Sequence, residues 1–458
     1  MSMKRRDRGG KQSSLFIPSD QVAKGPGHPF YKRLNEVLGA AEFDRFVEDL
    51  CEPFYAKKQG RPSIPPGVYF RMLLIGFFEG IDSERGIAWR CADSLGLREF
   101  LGYDVTESTP DHSTLSVIRG RLDVDTHKEV FSWVLKRVAE HGLLKGKTLG
   151  VDATTLEANA AMRSIVRRDT GESYEEYLTG LLEEAGIDDP DQDDIARLDR
   201  KRKNKASNKD WKSPSDPDAR IAKMKDGRTH LAHKAEHAVD METGVIVSTT
   251  LQGADQGDTT TIHETLTEAA ESLRDVIDDE AVNAAAPRLI DEVVADKGYH
   301  SNDVLSDLAE AEIRTYISEP DRGRRRWKGK ARARRAVHGN RRRVRGRRGK
   351  ALLRQRGELL ERPFAHCFET GGMRRTHLRT HENILKRLLI HTAGFNLARV
   401  MEKLIGIGKP RRLWEGLDSI SVLARLLSVL LKSVWRTAAR WNGLVVEFRR
   451  QRIRLAVR

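Results

Sequence analysis

Cysteine is nearly missing from this chain. Its three residues, Cys51, Cys91 and Cys367, lie far apart in 458 positions and form no CxxC pair. That excludes a disulfide framework and a cysteine-rich zinc site, and it suits a reducing compartment. Long apolar runs are missing too. The longest, Met72 to Phe78, is too short to span a bilayer, and the first twenty residues are basic and polar, unlike a signal peptide. Neither a GxxxxGKS/T phosphate loop nor a Rossmann glycine fingerprint occurs, so ATP and dinucleotides are not implied. Acid is missing from one stretch, Arg322 to Lys350, where sixteen of twenty-nine residues are Lys or Arg. A solvated charged helix ordinarily mixes signs, so this stretch points to phosphate contact.

What is present is a soluble composition, 32% charged, with a formal net charge of +14 and a pI near 9.6. Such a balance points first to a polyanionic partner, and the clustering of the charge points to nucleic acid. Residues 1–25 read as a disordered basic tail. Residues 26–145 carry apolar positions at helical spacing and short turns, an all-helical module. Its short helix near Ser113 bears His112, Ser113, Ser116, Arg119 and Arg121, a pattern that suits a helix-turn-helix reader of a major groove.

At Lys147 the period changes. Thr148 to Asn159 is strand-like and holds Asp152 in mid-strand, where an acid is costly unless ligated or paired. Residues 160–227 swing from acidic to basic and read as an insertion. Thr229 to Gly253 predicts a hairpin about the turn Asp240 to Gly244, and Asp258 reads as the N-cap of an amphipathic helix. In EVVADKGYHSND, Glu292 to Asp303, a short strand ends in Asp296, a turn follows, and Ser301 caps a helix. A last strand is expected over Ile313 to Pro320. The order predicts an α/β fold, an RNase H-like mixed sheet with flanking helices, over 146–405. It would include the insertion and the basic segment 322–350. Residues 406–458 read as basic amphipathic helices, and the apolar face of Leu417 to Trp441 as packing on this protein or a partner subunit.

Asp152, Asp296 and a Glu beyond the basic stretch make a set of three acids. Hard Mg²⁺ takes such oxygen donors, and two ions roughly 3.5–4 Å apart serve phosphoryl transfer. Clustered carboxylates without a cation would repel one another. The histidines suit a metal less well. His230 and His233 fall on opposite faces of a strand, and His377 and His381 share a helical face without a Cys or acid at zinc spacing.

Five blocks resemble, in order, a bacterial insertion-sequence transposase of the DDE class. They are GRPSIPPGVYFRMLLIGFFEGIDSERGIAWRCADS, VDATTLEANAAMRS, SDPDARIAKMKDGRTHLAHKAEHAVDMETG, ADKGYHS and GELLERPFAHCFETGGMRRTHLR. The resemblance spans about residues 30 to 405. It implies an RNase H-like catalytic domain behind a helical DNA-binding module, with metal-dependent cleavage and strand transfer at the terminal inverted repeats. It also implies Mg²⁺ or Mn²⁺, as two ions, and double-stranded DNA of the element ends and target. A homodimer on paired ends in the bacterial cytoplasm, associated with the nucleoid, is expected, without membrane or ATP. Carried over by position, Asp152, Asp296 and Glu361 are the catalytic, metal-holding acids, with Glu358 and Glu382 as rivals for the third. Arg356 is the upstream basic partner of the Glu, and Tyr299, beside Lys297, the aromatic associated with the flanking strand. Arg324, Arg325, Arg326, Arg341, Arg342 and Arg343 would grip the backbone. Related transposases often carry a Tyr and a Lys around the Glu, whereas Arg354 and Phe368 stand here. Pro363 requires the helix of Glu361 to begin near that residue or to kink. A decayed DNA-binding protein and a nuclease of the same fold are the alternative functions.

Overall fold

A computed structural model describes residues 27–56, 63–202, 206–224, 227–277, 289–323 and 325–415. The basic tail, the run 417–441 and Arg324 lie outside these residues. Among the described residues the N-terminal part is helical: α1 (Pro29–Ala40), α2 (Phe43–Cys51), α3 (Pro66–Glu79), α4 (Glu84–Asp93), α5 (Leu95–Leu101), α6 (His112–Arg121) and α7 (Val124–Glu140). Local chemistry sets the starts. Ser83, Ser94, Asp111 and Asp123 each accept a hydrogen bond from a backbone N–H three residues on, and Pro66 opens α3 where its missing N–H costs nothing. Helix α3 is buried on every side from Gly67 to Phe78, so it is the axis of the bundle.

The α/β part begins with β1 (Thr148–Glu157). An insertion follows, made of β2 (Val166–Arg167), α8 (Tyr174–Glu184), α9 (Gln192–Lys201) and β3 (Trp211–Lys212), with its own small core around Ile165 and Trp211. Then come β4 (Arg220–Lys223), the hairpin β5 (Thr229–Asp240) and β6 (Ile246–Gly253), α10 (Asp258–Ile277), β7 (Glu292–Ala295), α11 (Asn302–Glu310) and β8 (Arg314–Ile317). The sheet runs β4-β5-β1-β7-β8, with β6 also on β5. Pairs β6–β5 and β5–β1 are antiparallel, and β1–β7 and β7–β8 are parallel, joined through α10 and α11 as parallel strands require. This is the RNase H-like arrangement expected from the order of elements.

Three helices complete the chain: α12 (Ala331–Arg345), α13 (Arg347–Phe364) and α14 (His381–Ile405). Paired strand residues share a face and neighbours alternate, so the register Asp152↔His237 and Ala153↔Glu236 defines two sides of the sheet. Helix α13 covers the Asp152 side. Its Leu360 fits against Gly150, where a Cβ would come within 2.9 Å of Leu360 Cδ2. Phe364 stacks on His237 at 4.7 Å between ring centres. Helix α10 covers the Glu236 side through Thr261 and Thr265. Of the two courses open at Pro363, the helix does not begin near Glu361. It runs through Pro363 in its last turn and passes into a π-helical turn, Ala365–Glu369, which absorbs the lost backbone bond.

Outer strands are closed by side chains that imitate a neighbouring strand. Asn396 of α14 accepts from Ile246 N at 3.0 Å and donates to Ile246 O at 2.8 Å. Asn340 of α12 does the same for Ile317, at 3.1 and 2.7 Å. Both amides are buried, and open edges would otherwise invite another chain. Helix α14 packs on α3 and α7 as well as on β6, so the helical module and the sheet share one apolar core. No described helix is long and apolar enough to cross a membrane.

Replacing Asn396 by Leu leaves the Ile246 N–H and C=O buried without partners. The variant is expected to lose about 2–4 kcal/mol in urea denaturation. A loss well under about 1 kcal/mol would show that the edge is closed by packing alone.

Candidate active site

Strand β7 stops at Ala295, registered beside Val151. The next residues of the two chains, Asp152 and Asp296, therefore stand side by side, where β1 runs on without its parallel neighbour. Carboxyl ends of parallel strands are where such sheets place ligands. Burial pushes the Asp152 carboxyl up to about 6, with the Arg356 guanidinium opposing the shift and Asp296 and Asp258 adding to it. Arg356, on the face of α13 turned to the sheet, donates to Asp152 Oδ2 at 3.1 Å. Asp296 Oδ1 accepts from Gly298 N at 2.7 Å and caps the tight turn Lys297–Tyr299.

Beneath this pair lies a polar network on the opposite side of the sheet. Tyr299 was expected to handle DNA, yet it is 1% exposed and its hydroxyl donates to Glu236 Oε1 at 2.8 Å. It anchors the turn that follows Asp296. Glu236 is fully buried and also accepts from the hydroxyls of Thr261 and Thr265. Burial raises the pKa of Glu236, with these hydroxyls and Lys234 opposing. Burial, then the charges of Glu236 and Asp258, raises that of Tyr299 further. Lys234 Nζ lies 3.7 Å from Glu236 and donates to Asp258 Oδ1 at 2.6 Å. Asp258 is the first residue of α10, and its carboxylate is engaged by Lys234. Sequence reading missed Lys234, Glu236 and Asp258 as a unit. The available signal was a Lys and a Glu two residues apart, hence on one face, in a strand of a buried hairpin.

Glu361 is not brought to the pair. It lies five residues beyond Arg356, which turns it about 140° around the helix axis, and it is exposed. Its rivals are engaged elsewhere: Glu358 pairs with Arg362 at 2.6 Å and Glu382 with Lys386 at 2.6 Å. Among the described residues no group of three or more His, Cys, Asp or Glu is placed to hold a metal ion. Asp152 and Asp296 nevertheless suit the usual binding of Mg²⁺, by one or two carboxylates with water and substrate phosphate completing the shell.

The basic stretch divides. Arg325 and Arg341 both bind Glu319, Arg343 donates to Thr315 O at 2.9 Å, and Arg348 clamps the buried Glu292. These arginines, of which Arg325, Arg341 and Arg343 were expected to grip DNA, pin the outer strands and α12 in place. The stretch has no acid of its own, but the fold carries acids to it. Arg326, Arg342, Arg354 and Lys297 are exposed. In α6, Arg119 is engaged by Glu84 and Asn383, while His112, Ser113, Ser116 and Arg121 stay on the surface. His233 is buried against Asp216 at 3.1 Å.

Two family models match the chain. One, described as a transposase domain (DUF772), covers residues 19–121. The other, described as a transposase DDE domain, covers residues 198–397, taking in Asp296 and Glu361 and beginning after Asp152. No curated protein matches.

A carboxyl whose folded pKa of about 6 stands above its ordinary 3.8 favours the folded state only while protonated. Asp152 by itself therefore takes stability away from the metal-free protein as pH rises from about 4 to 6, against the buried histidines His127, His237 and His391, which add it over the same range. Asp152→Asn is expected to be the more stable form above that window, by about 1–2 kcal/mol, with the difference gone below it. Melting temperatures in EDTA across the pH range measure this. A difference that does not change with pH would refute it.

Proposed function

The chain belongs to the DDE transposases, and on that premise we propose that it cleaves DNA at the terminal inverted repeats of its own insertion sequence and joins the freed ends to target DNA. The observation that carries this reading is the pair Asp152 and Asp296, side by side where β7 ends against its parallel neighbour β1. In this reading Asp152 and Asp296 would hold Mg²⁺ or Mn²⁺, as two ions, and Glu361, which α13 turns away from the pair in this structure, would become the third oxygen donor only when the helix brings it round. A divalent cation there supplies activation of the attacking oxygen and neutralisation of the leaving one.

The chain's own groups do the rest. The turn anchored by Tyr299 holds Asp296 beside Asp152. Arg356 balances the Asp152 charge and stands at the same mouth to receive a phosphate oxygen, for which its planar fork is well shaped. Glu361, left exposed while Glu358 and Glu382 are paired, is the available carboxylate of the covering helix. The exposed cations Lys297, Arg326, Arg342 and Arg354 are the proposed backbone-binding groups. The surface of α6, with His112, Ser113, Ser116 and Arg121, is the proposed reader of the element ends. A homodimer on paired ends, in the bacterial cytoplasm with the nucleoid, completes the reading.

Labelled DNA carrying the element ends tests it. Asp296→Asn and Glu361→Gln are expected to fall to the metal-free background, while Glu358→Gln retains cleavage. Wild-type activity in either of the first two sinks the site. Cleavage without transfer of a 3′ end would assign a nuclease instead. The division of the arginines has its own test. Arg342→Ala and Arg354→Ala are each expected to lower the slope of log affinity against log salt by about 1. Arg341→Ala should leave the slope alone and lower the melting temperature. The reverse pattern would refute the division.

A further inference from the structure

An ammonium and a carboxylate buried in one sheet strand are expensive, and nothing in the chemistry assigned so far uses Lys234. Its ammonium is nevertheless fully committed. It donates to Asp258 Oδ1 at 2.6 Å, Thr261 Oγ1 at 2.9 Å and Gln256 O at 3.4 Å, with 5% of the residue exposed. With Oδ1 held, Asp258 turns its other oxygen toward the turn after Asp296. A Cβ on Gly298 would collide with Asp258 Oδ2 and lie 3.0 Å from Asp296 Oδ1, so the two carboxylates crowd one space that only glycine leaves open. Asp258 also acts on Asp152 and Tyr299 electrostatically. Thr261, which accepts from the ammonium, donates its hydroxyl to Glu236, and Glu236 accepts from Tyr299.

We propose that Lys234 and Asp258 are a positioning pair for the Asp296 carboxylate. This role presupposes the metal-binding one proposed for Asp296. Asp258 comes from the helix on the far side of the sheet and works by like-charge repulsion. It keeps the Asp296 carboxylate turned away from α10 and toward Asp152, and it deepens the negative potential that a divalent cation meets. Lys234 supplies the restraint. Without it, Asp258, whose side chain is 36% exposed, would relieve the repulsion by rotating into water.

The test uses the full chain and Mn²⁺, whose binding is read without DNA from its electron paramagnetic resonance signal. Asp258→Asn is expected to weaken Mn²⁺ binding about tenfold or more, as removal of outer partners of metal ligands does. It should raise the Mn²⁺ needed for half-maximal cleavage by the same factor. Saturating Mn²⁺ should restore the maximal rate, and binding of end DNA in EDTA should not change. Lys234→Met should behave like Asp258→Asn, and Lys234→Arg, which keeps the cation, should recover part of the affinity. Circular dichroism and melting check the fold, and if Lys234→Met does not fold, Asp258→Asn, at a half-buried position, decides. Wild-type Mn²⁺ affinity in folded Asp258→Asn would overturn the pair. Asp296→Asn separates the two levels. If it abolishes Mn²⁺ binding while Asp258→Asn does not weaken it, only the positioning role falls. If Asp296→Asn itself binds and cleaves like wild type, the metal site falls with it.

Discussion

Two carboxylates that one parallel register forces together are the constraint the rest of this structure answers to. Val151 pairs with Ala295, so Asp152 and Asp296 cannot avoid one another while the sheet is intact. Like charges at the half-buried end of a strand pair are unfavourable unless something positive is near. Arg356 serves that purpose at Asp152, and the backbone N–H of Gly298 serves it at Asp296. Burial, with a smaller contribution from the charge of Asp296, still holds the Asp152 carboxyl above its ordinary range, and a divalent cation is the chemical species that would offset both.

The same logic of paired charge explains the dense arginine segment. Sixteen cations with no internal acid look like a DNA grip, but α12 and the start of α13 lie along the last two strands, where Glu292 opens β7 and Glu319 follows β8. Arg341 and Arg348 meet those acids with several hydrogen bonds each, a geometry lysine could not reproduce. One set of arginines holds the sheet's edge, and the set facing outward is free to meet phosphate.

Closure of the sheet binds the molecule's parts together. Asn396 and Asn340 satisfy strand groups that a longer sheet would have paired. Because α14 carries Asn396 and also lies against α3 and α7, the strand edge, the helical module and the covering helices form one packed body. A change that loosens the bundle therefore reaches β6 and, through β5, the strand that carries Lys234 and Glu236.

Much was legible in the residues themselves. Caps and prolines announced the helices, the turn Asp240 to Gly244 announced the hairpin, and strand-ending Asp296 and mid-strand Asp152 stood out because acids in apolar strands need a reason. These signals are local, and local propensity and periodicity suffice to read them. The family blocks added Glu361 by position. What the sequence could not decide was partnership. Tyr299 was matched to an aromatic associated with the flanking strand and is buried on Glu236, since the side of the sheet it meets is set by a residue 63 positions away. Asp258 read as a helix cap and is held by Lys234, because which donor wins a carboxylate depends on which side chain the register brings within reach. Arg341 and Arg343 read as free charge and are bound to the sheet edge. Charge and period are properties of a chain, but who neutralises whom is a property of the packed layers, and only the tertiary structure settled it.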